Sequence, residues 1–240
     1  MSFGRILLCV FVSLSAPCIT VVNAEQDDDR VVATVLGKRV LLKNVTPASA
    51  AAKRKEMKPG EYSKWLRGYR ANLMLYQICG PVMKDYAERK KLKPTDEEIS
   101  RKISSITKEH VRIETNNKEE LQKLGMRVFW LNGTSRDWRN AKALHEKYGG
   151  RVGISSFGAC TAIDGLNAVL KEYLQRGDFV FHDPDLDEAF WEKVGRVPFT
   201  DVVLRPERVK QHFETSPWER WRQQMIRETN ENSLPKDEKD

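Results

Sequence analysis

The sequence predicts a mainly α fold of the α+β class, with a β-hairpin near its beginning and a few short strands later. Three observations predict it. Two β-branched runs, Val31-Val32-Ala33-Thr34-Val35-Leu36 and Arg39-Val40-Leu41-Leu42, flank Gly37-Lys38, a two-residue turn with Gly first, which is a type II′ hairpin signal. Most of the chain after the hairpin carries apolar residues three and four apart, the period of an amphipathic helix. Helix-start signals recur with their partners in place, at Thr95 with Glu98 and at Ser216-Pro217 with Glu219.

A hairpin this small cannot hold alone, so it must pack on helices. Thr46-Pro47 opens a short helix through the Ala-rich stretch to Met57, ending near Pro59-Gly60. A longer pattern runs from Glu61 to about Lys91 and puts Trp65, Tyr69, Leu73, Tyr76, Cys79 and Met83 on one side. Gly80-Pro81 interrupts it, and the missing N–H of proline predicts a kink or a break into two helices. The Thr95/Glu98 capping box starts a helix whose Ile99, Ile103 and Ile106 share a face. Asn116-Asn117 opens a short helix through Leu121 and Leu124, Asn132-Gly133 makes a turn, and Thr134 to Tyr148 forms a further helix stopped by Gly149-Gly150.

The last third reads as strand Arg151 to Ser155, helix Ala162 to Gln175 and strand Phe179 to Phe181, the order of a small βαβ unit. A helix from Asp185 to Val194 comes next, and then a final one whose Trp218, Trp221 and Met225 stripe needs a partner surface. This gives a module over 31–150, a C-terminal α/β extension with a returning helix over 151–229, and a polar, disordered tail over 230–240.

Composition and compartment narrow the function. The 240 residues carry 41 Lys+Arg against 34 Asp+Glu, a formal charge of +7, which admits nucleic acid, an anionic surface or an acidic client as partners. Residues 1–24 read as a secretory signal peptide: Arg5, an apolar run from Ile6 to Leu14, and Val22-Asn23-Ala24 at the cleavage site, with an acidic leader over 25–30 after it. The expected location is periplasmic or secreted, where nucleic acid is no partner. No zinc finger, helix-turn-helix or aromatic-studded basic tract argues otherwise. The basic residues read as solvated helix faces, with peripheral contact to anionic envelope surfaces as a further role. Cleavage leaves Cys79 and Cys160, either bridged in an oxidising compartment or two buried thiols.

The segment from Val31 to about Ile106 resembles the N-terminal module of the SurA-like periplasmic folding factors, relatives of the parvulin-containing PpiC group. The residues that carry the resemblance are Ala33-Thr34-Val35-Leu36-Gly37-Lys38-Arg39-Val40, Tyr86-Ala87-Glu88-Arg89-Lys90-Lys91-Leu92 and Pro94-Thr95-Asp96-Glu97-Glu98-Ile99. It implies a chaperone-like protein that binds unfolded or extended polypeptides on an apolar surface, with a late helix completing the module. The first alternative is a peptidyl-prolyl isomerase with a degenerate catalytic domain; Glu109-His110-Val111-Arg112-Ile113 resembles a parvulin first strand, but no further parvulin motif comes after it. The second is an envelope protein that binds a partner.

The chemical candidates are few. His110, His145, His182 and His212 are scattered and show no zinc spacing, so neither metal nor cofactor is expected. His182-Asp183-Pro184-Asp185 has ligand-type atoms, but Asp-Pro-Asp between a strand and a helix is foremost a turn and an N-cap. Gly153-Ile154-Ser155-Ser156-Phe157-Gly158-Ala159-Cys160 lacks an assignable base, so no catalytic residue is expected. The polypeptide-binding candidates are Trp65, Tyr69, Leu73, Tyr76 and Met83, because aromatics and Met give adaptable contact area.

Overall fold

The computed structural model describes residues 29–110, 118–195 and 200–233. The expected signal peptide, most of the acidic leader, the Asn116-Asn117 helix start and residues 234–240 of the tail lie outside the described residues, whereas 230–233, expected to be disordered, continue the last helix. Within them the protein is mainly helical, with short antiparallel strands in two small sheets.

Strands β1 (Val31–Val35) and β2 (Lys38–Leu41) form the expected hairpin, one residue off the expected turn. Val35 pairs with Lys38, so the turn residues are Leu36 and Gly37, at φ 49° and 77°. Positive φ at both positions defines a type I′ turn, and Gly serves as its second residue rather than its first. A 3-10 turn over Leu42–Val45 leads to α1 (Ala50–Glu56) and then α2 (Pro59–Arg89).

Helix α2 runs unbroken through Pro81, against the predicted interruption. Proline costs about 3 kcal/mol inside a helix. Ile78, Cys79, Val82 and Tyr86 on either side of it are all buried, and their burial offsets that cost.

Helix α3 (Asp96–His110) starts as expected: the Thr95 N–H donates to Glu98 Oε2 at 2.7 Å and the Glu98 N–H to Thr95 Oγ1 at 3.2 Å. Ile99, Ile103 and Ile106 face the core. Glu109 and His110 are helical, while Val111-Arg112-Ile113 of the parvulin-like segment lie outside the described residues.

Helix α4 (Lys118–Tyr148) replaces the expected helix, turn and helix with one continuous element. Asn132 does not turn the chain, because its amide donates to the Val128 carbonyl at 2.9 Å while its Oδ1 accepts the Ser100 hydroxyl of α3 at 2.9 Å. Gly149 and Gly150, at φ 66° and 83°, end α4 as predicted.

After α4 come β3 (Val152–Ile154), β4 (Cys160–Ala162), α5 (Ile163–Gln175), β5 (Phe179–Phe181) and α6 (Pro184–Gly195). Next are β6 (Val202–Val203), α7 (Pro206–Glu214) and α8 (Pro217–Ser233). The expected βαβ unit does not form. β5 joins β1 antiparallel, with Ala33 opposite Phe181 and Val35 opposite Phe179, giving the order β2-β1-β5. β3 pairs antiparallel with β4 on one side and β6 on the other. The small-residue segment after β3 is therefore a hairpin loop.

One hydrophobic core joins the two parts of the chain. Beneath β1 and β5, Phe179 packs against Phe190 and Phe181, with centroids 6.3 and 5.9 Å apart. Arg67 of α2 forks onto Glu188 and Glu192 of α6 at 2.9 and 3.0 Å. Helix α5 crosses close to α4 at Gly165, where a Cβ would meet the Leu144 Cβ at 2.9 Å. The last helix packs on α3 and α4. Its capping box is formed, with the Ser216 N–H and hydroxyl both donating to Glu219 Oε2, at 2.9 and 2.6 Å. Trp218 meets Trp138 of α4 edge to face, 5.5 Å between centroids.

Candidate functional site

The nominated aromatic stripe does not form one groove. From Trp65 to Met83 is about 27 Å of helix at 1.5 Å per residue, so the two ends of the stripe meet different neighbours. Trp65 and Tyr69 border a shallow depression whose lining comes from α2 alone, without an opposing wall. Leu73 is half-buried against the core. Tyr76 and Met83 line a different feature, an open-mouthed cavity of about 610 Å³.

Three elements supply most of this cavity, with Leu166 of α5 and Asp201 before β6 completing it. α2 contributes Leu75, Tyr76, Cys79 and Met83, α4 contributes Trp130, Asp137 and Asn140, and the β3–β4 hairpin contributes Ser155, Phe157 and Cys160. Its floor is apolar, with Leu75, Ala141, Leu144 and Leu166. Its rim is aromatic and exposed: Tyr76 is 64% exposed, Trp130 54% and Phe157 73%. Trp130 and Phe157 stack at 5.7 Å with an interplanar angle of 12°. Phe129, 71% exposed, and Met126, 52%, extend this apolar surface along α4. Exposed aromatics gathered at the mouth of an apolar cavity are the pattern of a binding surface, since single exposed apolar residues are ordinary and clusters are not.

The hairpin loop is held by its own backbone. The Ser155 N–H donates to the Ala159 carbonyl at 2.8 Å, and Ser155 Oγ accepts the Ala159 N–H at 3.1 Å. The Ser156 N–H donates to Asp201 Oδ2 from the segment before β6. Ser155 thus serves the turn, its hydroxyl oxygen taken up by the Ala159 N–H.

Cys79 and Cys160 are buried and unpaired, the second of the two alternatives that the sequence left open. They sit on separate walls of the cavity, α2 and β4. Desolvation pushes both thiols up to about 12, and the neighbouring Asp137 charge adds to the effect at Cys160. At neutral pH they are thiols, poor nucleophiles and poor metal ligands.

Asp137 is the one strongly perturbed carboxyl on the cavity wall. Asp137 is exposed by surface area, yet protein surrounds its carboxyl closely enough to desolvate it. Desolvation pushes it up to about 6, against the pull of Arg136 and Arg139. No periodicity marks Asp137, Trp130 or Phe157 in the sequence as members of a site; only their meeting in space does.

The other candidates are structural. Asp183 accepts the Leu186 N–H at 3.1 Å at the start of α6 and pairs with Arg30 at 2.9 Å, which is the capping role. Trp218 is buried and Trp221 half-buried, so the final stripe is core. No cluster of three or more His, Cys, Asp or Glu suited to a metal occurs among the described residues. Among the same residues no helix is long and apolar enough to cross a membrane.

Comparison with protein-family models, curated proteins and solved structures returned no match.

Proposed function

We propose that the protein is a non-catalytic, chaperone-like binder of extended or partly folded polypeptides in the cell envelope, and that the cavity between α2, α4 and the β3–β4 hairpin receives the client. The observation that carries this reading is the exposed aromatic rim of Tyr76, Trp130 and Phe157 over an apolar floor. Aromatic side chains give large contact area at low entropic cost and dominate binding surfaces. The volume of about 610 Å³ accommodates several apolar side chains, in the range of known ligand cavities. Further support comes from the SurA-like resemblance of the hairpin and the helices after it, together with a last helix that returns onto α3 and α4. The envelope location rests on the signal-like first 24 residues.

Suppression of aggregation of an unfolded outer-membrane protein tests the proposal. Wild type is expected to suppress at near-stoichiometric amounts, and the double variant Trp130→Ser, Phe157→Ser to lose most of that effect. No suppression by wild type would count against a chaperone. Turnover of a proline-containing tetrapeptide would move the reading to the isomerase class.

A further inference from the structure

The cavity holds a charge that a wholly apolar client leaves uncompensated. Asp137 lines it, and among the described residues its carboxylate accepts no hydrogen bond and forms no salt bridge. Neither arginine beside it pairs with it: Arg139 donates to Asp96 Oδ1 at 2.8 Å, to the Pro94 carbonyl at 3.0 Å and to Asn140 Oδ1 on the cavity wall at 2.9 Å, and Arg136 lies 3.3 Å from Asp96 Oδ2. A second carboxylate, Asp201, lines the same cavity and, among the described residues, accepts the Ser156 N–H alone. None of the described lining residues is Lys, Arg or His, although the chain as a whole carries +7. The lining therefore carries two carboxylates and no cation of its own, while Arg136 and Arg139 act on Asp137 from beside it and Arg220 acts on Cys160. At its mouth the stacked Trp130 and Phe157 offer aromatic surface suited to a cation and to its aliphatic stem.

We propose that the cavity selects polypeptide segments carrying a basic side chain among apolar residues, its ammonium or guanidinium pairing with Asp137 while the stem and the apolar neighbours lie against Trp130, Phe157 and Tyr76. This deepens the polypeptide-binding reading and rests on it. The carboxylate is ionised at neutral pH at a cost in desolvation, and a cation arriving with the client relieves that cost. A second basic group finds Asp201 within the same walls.

The test uses the full chain and labelled peptides of one apolar sequence that differ only at the centre: Lys, norleucine or Glu. Fluorescence anisotropy is expected to show the Lys peptide binding roughly tenfold tighter than the norleucine peptide, about 1.4 kcal/mol. The Glu peptide should be the weakest. Asp137→Asn, nearly isosteric, should abolish the gap between Lys and norleucine by weakening the Lys peptide and, if anything, tightening the norleucine peptide, with an unchanged circular dichroism spectrum and a retained melting transition showing that the variant is folded. Equal affinity of wild type for Lys and norleucine would overturn the charge selectivity alone. A gap that persists unchanged in Asp137→Asn would overturn the assignment to this carboxylate. Binding of none of the peptides would contradict the polypeptide-binding reading beneath it.

Discussion

Helix α2 serves two regions that handle aromatic side chains in opposite ways. On the side of the β2-β1-β5 sheet, Phe179 and Phe190 are fully buried and Arg67 ties α2 to α6. On the cavity side, Tyr76, Trp130 and Phe157 stand more than half exposed. Aromatics in the first region supply folding free energy, whereas those in the second leave most of their apolar surface in water and gain little from folding. The difference teaches where stability and binding separate along one helix. It also implies that each can be altered without the other.

The largest effect belongs to the sheet side. Phe190→Ala should cost about 3–5 kcal/mol of stability in a chemical denaturation experiment, because it opens a cavity among Phe179, Phe181 and Trp191. Client affinity of the fraction that remains folded should not change. On the cavity side the order reverses: Trp130→Ser with Phe157→Ser should weaken client binding roughly tenfold or more. The same double variant should shift stability by only about 1 kcal/mol, the worth of a stacked pair. A large loss of stability here would erase the distinction between the regions.

Smaller effects sharpen it. Thr95→Ala and Ser216→Ala each remove an N-cap, and each should cost about 1 kcal/mol by the same denaturation measurement with binding untouched.

Asp137→Asn should act on stability in the opposite direction. The folded protein holds the Asp137 proton up to about pH 6, against an ordinary value of 3.8. Ionising it therefore opposes folding: the penalty is absent below about pH 4 and grows as the pH rises through 6. The variant should melt a little higher than wild type at pH 7.5 and at the same temperature at pH 4. Arg136 and Arg139 on the same helix and Asp201 across the cavity are unchanged by the substitution, so a gain at both pH values would point to some other cause.

Local chemistry was legible in the sequence, and meeting in space was not. Both capping boxes could be read because each is complete within four residues, and the αL stop at Gly149-Gly150 needs only its own backbone. Gly80-Pro81 and Asn132-Gly133 are equally local signals, yet tertiary contacts override them. Buried side chains bracket Pro81, and Asn132 finds partners on α3 and on its own helix. The pairing of β5 with β1 joins residues nearly 150 positions apart, as the contact between Thr34 and His182 does, and no local pattern announces it. Of the binding candidates, Tyr76 and Met83 reach the cavity because they share a helix face with the core. Trp130, Phe157 and Asp137 come from elements far from them in sequence.

The central claim is that clients occupy the cavity rather than the Trp65 and Tyr69 end of the nominated stripe. A benzoylphenyl photo-crosslinker installed in place of Phe157, and separately in place of Tyr69, measures this directly in the presence of an unfolded client. Tyr69 is 39% exposed, so both positions are reachable. Client adducts are expected from position 157 and none above background from position 69. Adducts from position 69 with none from position 157 would contradict occupancy of the cavity.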